Sequence, residues 1–529
     1  MCGICGQFRF DSENVSSKSL TSMMSKLARR GPDSNGKWLQ GKIGFGHQRL
    51  SIIDLSSNGN QPMVDDLLKL TLVFNGTIYN YKSLRSKLIG KGYSFFSHSD
   101  TEVIIKAYHC WGEDCVKYLD GMFAFCVWDQ PNQKLFIARD RMGIKPLYYN
   151  LSNKAFTFAS NSQALLTQEL DRSVNPLALQ QQLSLHGVVP APNTIINGIQ
   201  KVKPATVITI NTKGLLKEKT YWHPGANRSE RNLSDNEYVE KAHELLTAAV
   251  TKRMDAADVP IGVLLSGGLD SSLLVALLKE AGHEDIRTFS IGFEDIDNEA
   301  GSEFEYSDQI VSKFKTQHQK YVVSNAEVLS RLSEAVMNMA EPMVGQDAVA
   351  FYLLSEQVSK HIKVVLSGQG ADEAFAGYFW YPRMATEKGD EIERFSKHYV
   401  DRPHEEYLQA VMPTYQGDNH TSNWLNEEFA KTGADSFIDK VFRTDITKLI
   451  VDDPVKRVDN MTMAWGLEAR VPFLDTELVE WALKMPANLK MKQDGKYPLK
   501  KIARDLLPSS VIDRKKGYFP MPALKHVQG

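Results

Sequence analysis

Apolar positions fall into two regimes along the chain. Up to about residue 160 they come in short alternating runs broken by Gly and Asn, the period of half-buried strands. Leu70-Thr-Leu-Val-Phe-Asn75-Gly76 predicts a strand running into a turn. Residues 121–128 and 134–139 predict a strand pair joined across Asp129-Gln-Pro-Asn132. A helical pattern over 101–111 lies between them, so a layered α+β domain is expected. Residues 171–224 hold several prolines and short strands and read as a connector, and the polar stretch 225–233 reads as a linker. Beyond Ser234 the pattern changes. Residues 236–254 have helical periodicity, and Val259-Pro-Ile-Gly-Val-Leu-Leu265 is a continuous apolar run, as in a buried parallel strand. Residues 287–293 and 362–366 are further strands separated by helices, which predicts a doubly wound α/β sheet. The tail from about 435 reads as mostly helical.

Composition narrows the partners. The 529 residues suffice for two to four domains of about 150 each. With 62 basic and 64 acidic residues the net charge is -2, so no global field draws the chain to nucleic acid or an anionic membrane, and neither partner is expected. There is no apolar run of bilayer length. The first residues lack the basic and apolar regions of a signal peptide, which makes the cytoplasm the expected compartment. The cysteines are Cys2, Cys5, Cys110, Cys115 and Cys126, an odd number, which argues against a disulfide framework. Cys2 and Cys5 match C-x-x-C, but a redox motif should follow a strand, and Cys110 and Cys115 make a poor second zinc pair.

The sharpest chemical signal is Ser266-Gly267-Gly268-Leu269-Asp270-Ser271-Ser272, directly after the apolar run that ends at Leu265. A strand that ends in Ser-Gly-Gly and opens a helix presents free N–H groups to an anion, and the glycines let the backbone approach phosphate closely. Ser266, Ser271 and Ser272 add hydroxyl donors. Asp270 would repel a bare phosphate, which calls for a bridging Mg2+. A plain Ser/Gly helix cap is the bland alternative, and it leaves the rest of the string unexplained. The Walker A spacing is absent. The loop resembles the pyrophosphate loop of ATP pyrophosphatases, which implies adenylation of a substrate. A second cluster, Ser367-Gly368-Gln369-Gly370-Ala371-Asp372-Glu373, also follows an apolar strand and is expected at the same sheet edge, with Asp372 a second candidate Mg2+ ligand.

At the other end, Cys2 becomes the first residue once the initiator methionine is removed. Its own α-amino group, with a pKa near 8, can then take the thiol proton. A buried structural cysteine is the ordinary reading of a lone Cys. The surrounding strings change that weighting: Cys2-Gly-Ile-Cys-Gly6, Arg30-Gly-Pro-Asp33, Gly46-His-Gln-Arg49, Asn75-Gly76-Thr-Ile-Tyr79-Asn80, Ser99-Asp100-Thr-Glu102 and Ala138-Arg-Asp140-Arg-Met-Gly-Ile-Lys-Pro-Leu-Tyr148. Together they resemble a class II glutamine amidotransferase. The resemblance implies that Cys2 attacks the side-chain amide of glutamine, that Asn75 and Gly76 form the oxyanion hole, and that Arg49, Ile53, Asn75, Gly76 and Asp100 bind glutamine. Arg49 would meet its α-carboxylate and Asp100 its α-ammonium. The family often carries Glu after Asn-Gly, where this chain has Thr77.

A glutaminase followed by a pyrophosphatase-type domain resembles the asparagine synthetase family over essentially the whole chain. Asp459-Asn-Met-Thr-Met463 and Glu468-Ala-Arg470-Val-Pro-Phe-Leu-Asp475 look like its C-terminal signature. The implied fold is an α+β, layered, Ntn-hydrolase-like glutaminase domain (1–224, connector included). An α/β, doubly wound, parallel-sheet synthetase domain of ATP-pyrophosphatase type (225–529) follows it. By the same resemblance Leu265, Ser266, Gly267, Gly268, Asp270, Ser271, Ser272, Ile291, Ser367, Gly368 and Lys516 bind ATP. Lys496 is catalytic, facing phosphate or the developing pyrophosphate. Ammonia would pass between the sites as NH3, through a largely apolar passage. A homodimer is a family expectation only.

Ser367-Gly368-Gln369-Gly370 stands where aspartate-using members read Ser-Gly-Glu-Gly. Glu341-Pro-Met-Val, Gly377-Tyr-Phe-Trp-Tyr-Pro382 and the segment 451–459 look like the branch that amidates N-acetylglutaminylglutamine, whose members usually continue past Gly529. Aspartate is the alternative acceptor. Two other classes of function compete with this one. A non-enzymatic homologue would be expected to lose Cys2 or Asp270, and both are present. An enzyme adenylating a tRNA base would be expected to carry a basic stripe, which the charge balance does not provide.

Overall fold

The computed structural model describes residues 2–228, 233–295, 300–345 and 347–514. The alternating segments of the first half fold into two six-stranded antiparallel sheets. In spatial order the first sheet runs Gln200–Lys201, Tyr148–Leu151, Ala155–Ala159, Gly3–Arg9, Ile43–Arg49, Ser34–Gln40. The second runs Leu216–Thr220, Thr206–Asn211, Lys134–Arg139, Gly121–Asp129, Leu70–Ile78, Met63–Asp65. Period-two alternation sends Ile4, Phe8 and Phe158 of one sheet and Val73, Cys126 and Ile137 of the other into a shared core. Burying each large side chain there contributes about 2 kcal/mol. The opposite faces are covered by helices: Ser17–Ser25 on the first sheet, through Leu20, Met23 and Met24, and Asp100–Trp111 on the second.

The stretch read as a connector is part of this sandwich. Thr206–Asn211 pairs antiparallel with Lys134–Arg139, from Val207 opposite Ala138 to Asn211 opposite Lys134, and Leu216–Thr220 adds the edge strand. Local prolines masked a pairing that is decided by a strand far away in sequence.

The second half holds five parallel strands in the order Gln317–Val323, Arg287–Phe293, Ile261–Leu264, Val364–Leu366, Glu468–Arg470. Numbered along the chain within this half, that is 3-2-1-4-5, a doubly wound order. Its switch point lies between Ile261–Leu264 and Val364–Leu366, so the loops after these two strands flank one crevice. The helix Asp235–Asp255 precedes the sheet, fixed at its start by a capping box between Ser234 and Glu237. The described part of the tail, 435–514, is mostly helical as expected, with two π-helical segments, Asp445–Leu449 and Val451–Val455.

The halves meet through buried, paired charges. Arg30 lies 2.9 Å and Lys145 3.2 Å from the Asp459 carboxylate, and Lys201 reaches Asp452 at 2.8 Å and Glu341 at 3.2 Å. Removing one partner of such a pair would leave a charge uncompensated, which makes the seam specific as well as buried.

Candidate active sites

Cys2 sits at the head of Gly3–Arg9, beside the middle of Leu70–Ile78 in the facing sheet. Its backbone N–H donates to Asn75 Oδ1 at 3.0 Å, while Asn75 Nδ2 is buried with no acceptor among the described residues. A donor held next to the nucleophile without an acceptor is what a developing oxyanion needs. Gly76 has φ of 154°, and a Cβ there would lie 2.1 Å from Met122 O, so only glycine fits beside Asn75. Burial pushes the Cys2 thiol above its ordinary range, while the chain's amino terminus and Arg49 pull it back.

A cavity of about 30 Å3 is lined by Cys2, Arg49, Ile53, Gly76 and Asp100, four of them among the residues expected to hold glutamine. It has room for little more than a water, so it must widen to admit glutamine. Arg49 donates to the carbonyls of Asp54 and Ser56 and to Asn60 Oδ1, so its guanidinium currently orders the loop over the pocket. A Cβ on Gly59 would lie 2.3 Å from Arg49 Nη2, which explains glycine at that position. Asp100 opens the helix Asp100–Trp111 and accepts from Ile78 N at 3.0 Å; burial pushes its carboxyl up to about 6. Arg30 was not among the expected site residues, yet its Nε donates to the Cys2 carbonyl at 3.3 Å. The seam beside Cys2 is therefore ionic rather than apolar.

The second site forms at the switch point. After Ile261–Leu264 the loop turns through Gly267 (φ 74°), where a Cβ would lie 2.6 Å from Ser307 N. Ser271 Oγ, in the first turn of Leu269–Glu280, accepts from Ser266 N at 3.2 Å and lies 3.1 Å from Ser266 Oγ. A cavity of about 210 Å3 is lined by Leu265, Ser266, Asp270, Ser271, Ile291, Ser367, Gly368 and Asp372, all expected there, together with Gln369. Phe351 and Leu354 of the helix Asp347–Ser359 form its apolar wall, which an all-round apolar helix did not reveal in advance. Gly267 and Gly268 shape the loop without lining this cavity. Ser272 is wholly buried and does not reach it. Lys516 lies outside the described residues.

Lys496 joins the two loops. Its Nζ lies 2.7 Å from Asp270 Oδ2 and 2.9 Å from Asp372 Oδ1. Burial disfavours its charge, but the two carboxylates outweigh burial and hold it above the usual lysine range. The backbone is bent to make this contact: Lys496 has φ of 54°, and a Cβ on Gly377 would lie 2.3 Å from Lys496 Cε and 2.2 Å from Asp372 Oδ1. Two converging carboxylates facing a phosphate loop fit Mg2+, which commonly takes one or two carboxylates plus substrate phosphate. Among the described residues no group of three or more His, Cys, Asp or Glu gathers into a closed metal cage. The cysteines are all free, and Cys5 is buried in the sheet with its thiol pushed up to about 12.

The chain thus joins an antiparallel sandwich, with a buried cysteine beside an amide donor lacking an acceptor among the described residues, to a doubly wound sheet with a Ser-Gly-Gly loop at its switch point. Comparison with known sequences gives the family. The profile described as "Asparagine synthase" matches residues 241–529, and the "Glutamine amidotransferase domain" matches residues 1–222. The glutamine-hydrolyzing asparagine synthetases 1 and 3 of Bacillus subtilis (strain 168) are 33% and 31% identical to the chain. The alignments cover 99% and 98% of it and 87% of each relative. "Amidase chry2" of Gibberella zeae is 27% identical over 94% of the chain and 83% of its own length. The chain belongs to the asparagine synthase family and is a glutamine-hydrolysing, ATP-dependent, AMP-forming carbon–nitrogen ligase. Among the described residues no helix is long and apolar enough to cross a membrane.

Proposed function

We propose that Cys2 attacks the amide carbon of glutamine with its α-amino group as base, while Asn75 Nδ2 and Gly76 N–H hold the oxyanion. Arg49, Ile53 and Asp100 would hold the rest of glutamine; the tetrahedral adduct collapses with loss of ammonia, and the thioester left on Cys2 is hydrolysed to glutamate. At the second site a carboxylate oxygen of the acceptor attacks the α-phosphorus of ATP and pyrophosphate leaves. Ammonia displaces AMP from the acyl-adenylate, giving the amide. Lys496, held between the two loops by Asp270 and Asp372, is the observation that carries this reading; its ammonium would meet the charge that builds on the departing pyrophosphate. Ser266, Ser271 and the loop N–H groups hold the phosphates. Asp270 and Asp372 would hold Mg2+, which neutralises phosphate oxygens when bound. The domains are divided near residue 224, and the cytoplasm is the compartment where both substrates are at hand.

The acceptor we propose is N-acetylglutaminylglutamine, amidated at its C-terminal carboxylate. Gln369 lines the cavity next to Asp270 and Asp372. A neutral side chain there suits a capped acceptor without an ammonium group, since a third carboxylate would need a cation. A second reading, aspartate, is favoured by the names of the Bacillus subtilis relatives. The test supplies glutamine, ATP and Mg2+ with either acceptor and follows pyrophosphate and amidated product by mass. Robust asparagine formation with an inert dipeptide would overturn the first acceptor, and ADP with phosphate in place of AMP with pyrophosphate would overturn adenylation.

A further inference from the structure

A third cavity, of about 580 Å3, opens on the seam between the halves and shares no lining residue with either site. Lys203 and His223 reach it from the first half, and Trp424, Lys431 and Lys448 from the second half. Arg141, Lys203, Lys431 and Lys448 outnumber Glu427 and Glu428 in its lining. Lys448 is pushed below the usual lysine range, by burial foremost; Glu428 opposes this, and Lys431 and Lys203 add to it. His223 is likewise pushed down by burial and then by Lys448, Lys431 and Arg443. Of the nearby carboxylates, Glu428 pairs with Lys431 at 2.5 Å and Glu218 with Lys203 at 2.7 Å, and Glu427 also lines the cavity. Among the described residues Lys448 Nζ has no hydrogen-bond or ion-pair partner. It stands on the π-helical turn Asp445–Leu449, a distortion that recurs at functional sites.

A second, independent observation points the same way. Gln181 lines the cavity and is 2% exposed, yet its Oε1 has no donor among the described residues. A buried amide oxygen without a donor is rare in a folded protein unless a ligand supplies one. Trp222 and Trp424 add flat apolar wall.

We propose that this cavity is a ligand site distinct from both reaction centres, for a small phosphate-bearing metabolite that also carries hydroxyl groups. The phosphate dianion sits among Lys203, Lys431 and Lys448 and gives Lys448 a counter-charge, and a hydroxyl donates to Gln181. Because the lysines come from both halves, the bound ligand ties the glutaminase half to the synthetase half.

The test uses the full chain without ATP or glutamine, with ribose 5-phosphate as probe and ribose as its uncharged control. Ribose 5-phosphate, but not ribose, should raise the thermal unfolding midpoint at millimolar concentration. Lys448→Gln, which removes a repelled charge, should unfold no lower than the parent without ligand. It should bind the probe at least about tenfold more weakly by calorimetry, with the KM for ATP unchanged. Lys431→Gln, at a partly exposed position, provides the same comparison if the first variant folds poorly. Gln181→Leu should weaken the sugar phosphate as well. A parent that ignores ribose 5-phosphate, or variants that bind it as tightly as the parent, would overturn the proposal. Equal shifts with ribose would do the same.

Discussion

Thr77 Oγ1 donates to the Glu468 carboxylate at 3.1 Å, joining the strand that carries Asn75 and Gly76 to the last strand of the parallel sheet. Arg470 completes the contact. Its Nε lies 2.6 Å from Glu468 Oε1, its Nη2 reaches Thr77 and the Ala256 carbonyl, and both charged residues are wholly buried. The strand Glu468–Arg470 pairs with Val364–Leu366, which leads into the second ATP loop. Thr77, short and hydroxylated, thus lets a carboxylate from the other half stand beside the glutaminase strand.

Glu468→Ala should therefore damage stability and both activities together. It leaves the Arg470 guanidinium buried without its partner, at a cost of about 3–5 kcal/mol. Burial disfavours the Glu468 charge, but the amino terminus, Arg470 and Lys145 overcome this and hold its carboxyl at about 2, below its ordinary 4.5. A depressed carboxyl binds fewer protons folded than unfolded, so its stabilisation is full above about pH 4.5 and fades as pH falls toward 2. Urea unfolding across that range should show a shallower acid loss in Glu468→Gln than in the parent.

Cys2→Ala should separate the two activities. Glutamine hydrolysis should fall by at least about a thousandfold, while ammonium salt should still support pyrophosphate release and amide formation. Glutamine hydrolysis at the parent rate would falsify the nucleophile assignment.

Lys496→Met should do the reverse. Without the ammonium, Asp270 and Asp372 lose the cation that bridges them, and the departing pyrophosphate loses a positive charge. Pyrophosphate release should drop by about a hundredfold or more, with glutaminase turnover near parental. Synthesis at the parent rate would remove Lys496 from the chemistry and leave it a structural bridge.

Much of this arrangement is local, and the local parts were readable. The phosphate loop depends on contiguous residues, an apolar run ending at Leu265 and then Ser266-Gly267-Gly268, and the structure places both Asp270 and Asp372 at one crevice because the strand order reverses there. Non-local pairing was not readable. The strand Thr206–Asn211 finds its place only against Lys134–Arg139, and nothing near Thr77 announces Glu468, 391 positions on. The bridge made by Lys496 was hidden for the same reason: its left-handed backbone and the space left by Gly377 are tertiary facts.

If Asp100 meets the α-ammonium of glutamine as proposed, its carboxyl, pushed up to about 6 by burial, would give glutamine use a pH signature. Only the ionised form attracts the α-ammonium of glutamine. The KM for glutamine should be flat above about pH 6 and climb as pH falls through it, while synthesis from ammonium salt should not follow that curve. In Asp100→Asn the KM should be high and insensitive to pH over this range. A parental profile in that variant would show that another group governs recognition.

Lys490 offers a test of the fold alone. It is wholly buried, its Nζ stands 3.8 Å from the Phe442 ring centroid, and it has no hydrogen-bond acceptor among the described residues. Burial pushes its ammonium down to about 7, with Asp439 opposing only in part. Between pH 7 and the ordinary 10.5 the unfolded chain holds a proton that the folded chain does not, so stability should rise with pH across that window. As pH falls through 7 the folded state must take up a poorly solvated charge, and the advantage of high pH is gone. Lys490→Met keeps the length and the contact with Phe442 but cannot titrate. It should be more stable than the parent at pH 7 by about 1–4 kcal/mol, with a flatter dependence on pH up to 10.5. Urea unfolding of both proteins at several pH values decides it, since parallel curves would mean that Lys490 keeps its proton in the folded state.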